Sequence, residues 1–198
     1  SYEKKKIPLK SIDIYDQVIY IKSFSKILMP GLRLGFLTTP KKLFKDIIKA
    51  KHTADISSSG FIQRAFDLYL RENFWKEHIE RVQKDYSEKY NLILKEINSL
   101  KKYGIRFKEP NGGLSLWLKL PKDINCIELY NECASNNVII VPGEIFFIEG
   151  HNEETNFIRL SFGSVNKDKI VEGINIIENC IAKLKGGNDD NTKFIPLI

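Results

Sequence analysis

The sequence has few cysteines and no long apolar run, and both absences narrow the class of protein. Its three cysteines are odd in number and lack C-x-x-C spacing, which fits neither a disulfide framework nor a zinc site; they are Cys126, Cys133 and Cys180. We expect reduced thiols on helices and predict no metal site. No window approaches the ~18 uninterrupted apolar residues of a membrane-spanning helix, and no apolar stretch follows the charged start to form a signal peptide. The sequence therefore predicts a soluble, cytoplasmic chain with no membrane partner.

The charge of the chain does not favour a nucleic-acid partner. It has 31 Lys and Arg against 25 Asp and Glu, a net charge of +6. The lysines are scattered among glutamates, and the sequence has no arginine-rich stripe or base-stacking aromatic motif. With 42% hydrophobic and 28% charged residues among 198, the composition is that of an ordinary globular protein and excludes disorder of the whole chain.

The first half of the chain predicts one strand followed by helices. Residues 17–24 form a compact β-branched and aromatic run, typical of a buried strand in an α/β sheet. Amphipathic spacing predicts a helix after Pro40, and the serines at 57–59 predict the cap of a second one. From 73 to 102, apolar positions recur mostly at three and four, which predicts one long helix.

The pattern of elements in the second half of the chain predicts a small α+β domain. An antiparallel hairpin is predicted around Asn111-Gly112-Gly113, because leucines alternate with Ser115, Trp117 and Lys119 after that turn. Further spacing predicts a helix over 126–135, strands over 138–143 and 156–162, a closing helix over 166–185 and a loose tail.

These elements predict an α/β protein made of unequal parts. Residues 1–72 are expected to be the C-terminal remnant of a large domain whose earlier strands are missing, since one strand cannot make a sheet. The long helix over 73–102 would connect it to the small α+β domain at 103–185, and 186–198 would be the tail. Trp75 and Trp117 are predicted to lie in the core.

The residues that most strongly indicate a chemical function lie at the end of the first predicted strand and in the turn after it. Ser23, Ser25 and Lys26 end the strand, and a Pro-Gly turn returns Arg33 seven residues later. Hydroxyls beside a guanidinium suit a phosphate, and a lysine beside another cation can attack an aldehyde. Spacing alone leaves the plainer alternative open, in which Lys26 is one lysine among many and Arg33 is a surface residue.

The pattern S-F-S-K-x-x-x-P-G-x-R-x-G resembles the cofactor-lysine motif of class I/II, fold-type I pyridoxal-phosphate (PLP) aminotransferases. More narrowly, it is similar to the aminotransferase-like domain of MocR-type GntR regulators and to 2-aminoadipate-aminotransferase-like enzymes. The resemblance covers roughly 17–184 through segments in the family's order: LYLRENFWKEHIERVQKDYSEKY, EPNGGLSLWLKLP, VIIVPGEIFF and NFIRLSFG. It implies a PLP-dependent transferase fold without its N-terminal part.

The resemblance also implies roles for individual residues. Lys26 matches the catalytic lysine that bonds to the cofactor's aldehyde and later moves a proton. Ser23 and Arg33 match positions that bind the cofactor phosphate, and Ser25 is expected to sit against the lysine. Arg159 matches the arginine that binds the α-carboxylate of the substrate. The three histidines, at 52, 78 and 151, receive no role.

Two functions follow from the resemblance. One is an aminotransferase that moves an amino group between an amino acid and a 2-oxo acid; the other is a regulator in which this fold senses PLP or an effector and an upstream winged helix binds DNA. The family's Gly-rich phosphate loop, ring-stacking aromatic, Asn and pyridinium-binding Asp belong upstream, and Asp13 and Asp16 lie too close to Lys26 to replace that Asp. We therefore expect an inactive isolated chain. The resemblance also implies a homodimer for the full-length parent, because family members are dimers whose active sites lie at the subunit interface. The substrate side chain is not predicted.

Overall fold

The computed structural model describes residues 7–55, 57–148 and 155–190. Among these residues, 7–84 form one compact unit and 85–190 form another. The division falls inside a single long helix, α3 (Phe74–Ile97). No helix among the described residues is long and apolar enough to span a membrane.

The first unit contains a β-hairpin where the sequence predicted a single strand. Strand β1 (Tyr20–Ser23) pairs antiparallel with β2 (Gly35–Thr38), and Ser23 lies opposite Gly35. A Cβ at position 35 would lie 2.8 Å from the carbonyl oxygen of Lys22, so only glycine allows this close pairing. The expectation of one strand is therefore wrong, because the short GFLT segment finds its partner within the same unit.

Two helices follow the hairpin as predicted. Helix α1 (Phe44–Ala54) is preceded by a 3-10 turn, and α2 (Gly60–Arg71) is capped by Ser59, whose hydroxyl accepts the Ile62 N–H at 3.4 Å. The hairpin packs on α2 through aromatic rings, with the Phe24 and Phe66 centroids 4.5 Å apart. The described part of this unit buries few side chains.

The second unit is a four-stranded antiparallel sheet packed against helices. The sheet order is β3-β4-β6-β5, and a 3-10 segment ending before Gly104 connects α3 to it. The elements are β3 (Arg106–Phe107), β4 (Ser115–Lys119), α4 (Cys126–Ser135), β5 (Val141–Pro142), β6 (Phe157–Ser161) and α5 (Lys167–Asp190). The hairpin prediction is confirmed, and α5 continues to Asp190, beyond the predicted end at Lys185.

The core of the protein lies between this sheet and the helices. Alternate residues of the two central strands are buried, including Leu116, Leu118 and Ile158. Trp117 lies between the buried Leu116 and Leu118 on the same strand, so its side chain faces away from the core and is 36% exposed. Trp75, in the first turn of α3, is 38% exposed. The prediction that both tryptophans lie in the core is therefore wrong.

The cysteines behave as the sequence predicted. Cys126, Cys133 and Cys180 are free, buried and placed on α4 and α5. Burial raises the pKa of all three thiols, because the charged thiolate is poorly solvated there. They are packing residues of the core, and no metal-binding cluster of His, Cys, Asp or Glu exists among the described residues.

Candidate functional site

Lys26 lies in a tight turn that begins where β1 ends. The Phe24 carbonyl accepts the N–H groups of Ile27 at 3.1 Å and Leu28 at 2.9 Å, which folds the chain over at the lysine. The Phe24 N–H donates to the Leu34 carbonyl at 3.0 Å and closes the base of the loop. The Lys26 side chain is exposed, so its amine is accessible to a ligand.

The two serines of the motif form a hydrogen-bonded pair. The hydroxyl oxygens of Ser23 and Ser25 are 3.0 Å apart, and the Ser25 N–H donates to the Ser23 hydroxyl at 3.2 Å. This local pairing orients both hydroxyls at the end of β1, where they form one polar group.

Arg33 lies close to these hydroxyls because the loop between the strands doubles back. The residue follows a 3-10 turn at Pro30–Leu32 and adopts a left-handed backbone with φ 50°. Arg33, Ser23 and Ser25 all line one cavity of about 380 Å³, together with Gly35 and Lys51. The guanidinium of Arg33, the two serine hydroxyls and the side chain of Lys51 lie around one cavity, and together they form a set of donors suited to an anion. Lys26 does not line this cavity.

His78, which received no role from the sequence, forms a hydrogen bond to the turn that contains Lys26. His78 of α3 donates from Nε2 to the Ile27 carbonyl at 2.8 Å, and Arg81 donates to His78 Nδ1 at 3.3 Å. Because a carbonyl only accepts and a guanidinium only donates, these contacts select the imidazole tautomer with its proton on Nε2. The contact joins residues 51 positions apart through a backbone atom, and nothing in the sequence pattern indicates it.

The two aspartates upstream of β1 hold the loop that leads into the strand. Asp13 accepts the N–H groups of Gln17 and Val18, both at 2.9 Å, and Asp16 accepts the Lys41 N–H at 2.9 Å. These backbone N–H donors, aided by the Lys10 ammonium, lower the pKa of Asp13 to about 2 and also lower the pKa of Asp16. Both residues are structural, which agrees with excluding them from the site.

Arg159 lies in the second unit, on β6. It is directly opposite Trp117 of β4 and Val141 of β5. Its guanidinium carbon is 4.9 Å from the centroid of the Phe146 ring, and its Nε is buried with no acceptor among the described residues. The structure therefore brings Ser23, Ser25 and Arg33 together, while Arg159 has a separate aromatic setting.

Comparison with known proteins defines the class to which this fold and these motifs belong. The family Aminotransferase class I and II matches residues 3–177. The chain is 34% identical over 160 residues to the 2-aminoadipate transaminase of Thermus thermophilus, covering 81% of this chain and 40% of that protein. The chain belongs to the class I and II aminotransferase family.

The relatives include regulators as well as enzymes. The chain is 32% identical over 168 residues to the HTH-type transcriptional regulator TauR of Rhodobacter capsulatus, covering 84% of this chain and 34% of the regulator. The chain thus spans less than half of the length of the curated relatives that it matches.

Solved structures confirm the predicted fold class. The alpha-aminoadipate aminotransferase LysN from Thermus thermophilus, complexed with N-(5'-phosphopyridoxyl)-L-leucine, aligns with a TM-score of 0.84 at 31% identity. The alignment covers 93% of this chain and 48% of that one. The Pyrococcus horikoshii kynurenine aminotransferase aligns with a TM-score of 0.83 at 29% identity, over 92% and 45% of the two chains. The chain has the fold of part of a PLP-dependent aminotransferase.

Proposed function

We propose that this chain is the C-terminal part of a PLP-dependent aminotransferase, which moves an amino group between an amino acid and a 2-oxo acid. The observation that carries the proposal is the meeting of Ser23, Ser25 and Arg33 around one cavity beside the turn of Lys26. This arrangement occurs within a family whose members include the transaminases named above.

The residues present fit the phosphate end of PLP. The guanidinium of Arg33 and the two serine hydroxyls supply charge and donors for a phosphate. The amine of Lys26 would bond to the cofactor's aldehyde and later carry the proton at the substrate's α carbon. PLP, when bound, supplies an electron sink for that proton transfer.

Arg159 would bind the α-carboxylate of the amino acid. Its planar guanidinium matches a carboxylate with two parallel hydrogen bonds, which a lysine cannot provide.

The chain by itself would be inactive, and its parent would be a homodimer. We propose that residues 1–72 belong to the PLP-binding large domain, that 73–102 link the domains, that 103–185 are the small domain and that 186–198 are a tail. The first unit exposes large apolar side chains such as Ile14, Tyr15 and Ile21, which supports its packing against further protein in the parent. A cytoplasmic location is part of the same proposal.

The second candidate function is ligand sensing in a transcriptional regulator. It is favoured by the HTH-type relatives and by the segments VIYIKSFSK and FWKEHIERV, which resemble the regulator group. In that case DNA would be bound only through an N-terminal domain outside this sequence. The upstream reading frame separates the candidates, because a winged helix there favours the regulator.

The test of the proposed function is amino transfer by the full-length protein. Loaded with PLP and given an amino acid without a 2-oxo acid, it should convert the cofactor to pyridoxamine phosphate, which chromatography measures. The 198-residue chain should not do so. Sustained transamination by this chain alone would contradict its proposed inactivity, and unchanged cofactor in the full-length protein would favour the sensing function.

A further inference from the structure

The chain on either side of Lys26 is anchored to the helices of the first unit, whereas the lysine itself is exposed. Phe24 lies two residues before the lysine and Ile27 one residue after it, and both are half-buried. The backbone bonds within the turn set its shape but not its orientation on the unit. Contacts from α2 and α3 set that orientation, because they reach the turn at Phe24 and at Ile27.

The first of these contacts is made by the ring of Phe24. Its centroid lies 4.5 Å from that of Phe66 on α2 and 5.8 Å from that of Phe36 on β2. Phe66 in turn stacks on Tyr69 of the same helix, with an interplanar angle of 19°. Aromatic pairs at these distances prefer a small set of arrangements, so the rings hold the Phe24 side of the turn against α2.

The second contact is the hydrogen bond at 2.8 Å from His78 of α3 to the carbonyl of Ile27. The imidazole that makes this bond is itself held by two neighbours. Arg81 donates to its Nδ1 at 3.3 Å, and the ring of Tyr69 meets it at 77° with centroids 6.4 Å apart. The Nε2 donor therefore has a fixed position, and it fixes the peptide group that follows Lys26.

Together these contacts enclose the turn in a circuit that we call the lysine clamp, which consists of Phe24, Phe66, Tyr69, His78 and Ile27. The clamp joins both sides of Lys26 to α2 and α3. Ring contacts hold the side of Phe24, while a hydrogen bond from His78 holds the side of Ile27. Removal of that donor would release one side of the turn and leave the other attached.

We propose that His78 is a positioning residue for the amine of Lys26. It acts through the backbone, because it fixes the peptide group from which the lysine side chain extends. In the covalent step the unprotonated amine of Lys26 forms a C=N bond to the aldehyde carbon of PLP, and the aldehyde oxygen leaves as water. An amine held close to the aldehyde makes this step effectively intramolecular, and a small displacement slows it strongly. The inference rests on the proposed function and adds a residue of α3 to it.

Two amide side chains separate the effect of the hydrogen bond from that of bulk. The amide nitrogen of glutamine is the same number of bonds from Cα as Nε2 of histidine, whereas that of asparagine matches Nδ1. His78→Gln should therefore keep a donor for the Ile27 carbonyl, and His78→Asn should lose it. His52→Asn is the matched control, because His52 is exposed on α1 and makes no hydrogen bond to this turn within the described part of the chain.

The test compares two forms of the cofactor on the full-length protein, starting from cofactor-free samples. Borohydride reduction at timed intervals, followed by mass spectrometry, measures how fast PLP becomes attached to Lys26. Pyridoxamine phosphate has the same ring and phosphate but no aldehyde, so its affinity by calorimetry reports the site without the covalent step. His78→Asn should slow attachment by about fivefold or more and leave the affinity for pyridoxamine phosphate within about twofold of wild type. His78→Gln should recover most of the rate, and His52→Asn should change neither quantity.

Three results would overturn the positioning role. One is an attachment rate in His78→Asn equal to that of wild type. Another is an equal loss in His78→Gln and His78→Asn, which would show that the imidazole ring matters rather than its hydrogen bond. The third is a parallel loss of affinity for pyridoxamine phosphate in His78→Asn, because the variant would then damage the whole site.

Two further provisions keep the test decisive. If circular dichroism shows that His78→Asn does not fold, His78→Leu replaces it, since leucine also lacks a donor and has a similar bulk. Failure of the proposed function is recognised separately: wild-type protein without any phosphopyridoxyl group on Lys26 would reject that function together with this inference. Normal labelling of wild type with an unchanged rate in His78→Asn would reject the role of His78 alone.

Discussion

At the scale of single residues, Asp13 shows how local hydrogen bonds couple stability to pH. Its carboxylate accepts the backbone N–H groups of Gln17 and Val18 and pairs with Lys10 at 2.9 Å. The N–H donors and the ammonium favour the ionised carboxylate over the protonated one, which lowers the pKa of Asp13 to about 2. The carboxylate therefore stabilises the folded state above its unfolded-state pKa of about 3.9, and this stabilisation is lost as the pH falls toward 2.

We predict that Asp13→Asn lowers the free energy of unfolding at pH 6 and that the difference from the wild-type chain disappears near pH 2. Urea unfolding of both chains at a series of pH values measures the free energy of unfolding at pH 6 and the difference that remains near pH 2. Asp46→Asn is the control, since Asp46 is an exposed residue in the first turn of α1 and should show a smaller change at pH 6. A difference between wild type and Asp13→Asn that persists at pH 2 would show that the carboxylate charge is not the cause.

His78 is the residue whose contact bears most directly on the lysine turn. We predict that His78→Ala leaves the Ile27 carbonyl without its donor and destabilises the turn by about 1 kcal/mol. Hydrogen exchange should then be faster at the Ile27 and Leu28 amides, which close the turn on Phe24. His52→Ala, on the exposed part of α1, is the control and should not affect these amides. Unchanged exchange in His78→Ala would mean that the turn is held by its own backbone bonds.

The residues of the candidate site differ in how far the sequence could predict them. Ser23, Ser25 and Arg33 lie within eleven positions of one another along a strand and its turn, so their meeting follows from local geometry. His78 could not be found in this way, because its partner is a backbone carbonyl far away in sequence. Trp117 was predicted to lie in the core, whereas the alternation of β4 places it on the face opposite the buried Leu116 and Leu118.

At the scale of secondary-structure elements, close contacts between segments depend on individual glycines. Gly143 lets the 3-10 segment Gly143–Phe146 approach β6, and a side chain there meets backbone rather than a flexible side-chain end. Gly173 on α5 has open space around its Cβ position. The two residues therefore form a matched pair for the same substitution.

We predict opposite signs for alanine at these two positions. Gly143→Ala should lower the free energy of unfolding by about 1–3 kcal/mol, because the segment must move away from Phe157. Gly173→Ala should raise it by about 0.5–1 kcal/mol, because alanine favours the helix. Denaturant unfolding measures both values. A neutral Gly143→Ala would contradict this reason, because it would mean that the segment carrying Phe146 moves away from Phe157 without cost.

Helices with long amphipathic spacing were predicted well, and short strands less so. The spacing of α3 identified the helix to within a few residues, although its last part is a 3-10 segment. Strand β2 was missed because it has only four residues, which is too short to show a clear alternation of apolar and polar side chains. Its partner β1 is equally short. The end of α5 was predicted too early, at Lys185, whereas the helix continues through Gly186 to Asp190.

At the scale of the whole molecule, the buried core and the candidate cofactor site belong to different units. The buried hydrophobic cluster consists of residues from Tyr90 onward, whereas the Ser23, Ser25 and Arg33 cavity is in the first unit. Composition and periodicity predicted an α/β chain with a small α+β domain, but they left the role of Lys26 open. The resemblance of the motif to a family favoured a cofactor lysine over a surface lysine. The match over residues 3–177 confirms the family, and the role of Lys26 stays a prediction.

The central claim is that the amine of Lys26 captures the aldehyde of PLP while Arg33 and the serines hold the phosphate. The most direct measurement is borohydride reduction of the full-length protein with PLP, followed by mass spectrometry of its peptides. The account predicts a phosphopyridoxyl group on Lys26, its loss in Lys26→Ala and its retention in Lys45→Ala, an exposed lysine of α1. It also predicts that Arg33→Ala needs a higher PLP concentration for the same labelling. Labelling spread over other lysines, or unchanged in Lys26→Ala, would contradict the account.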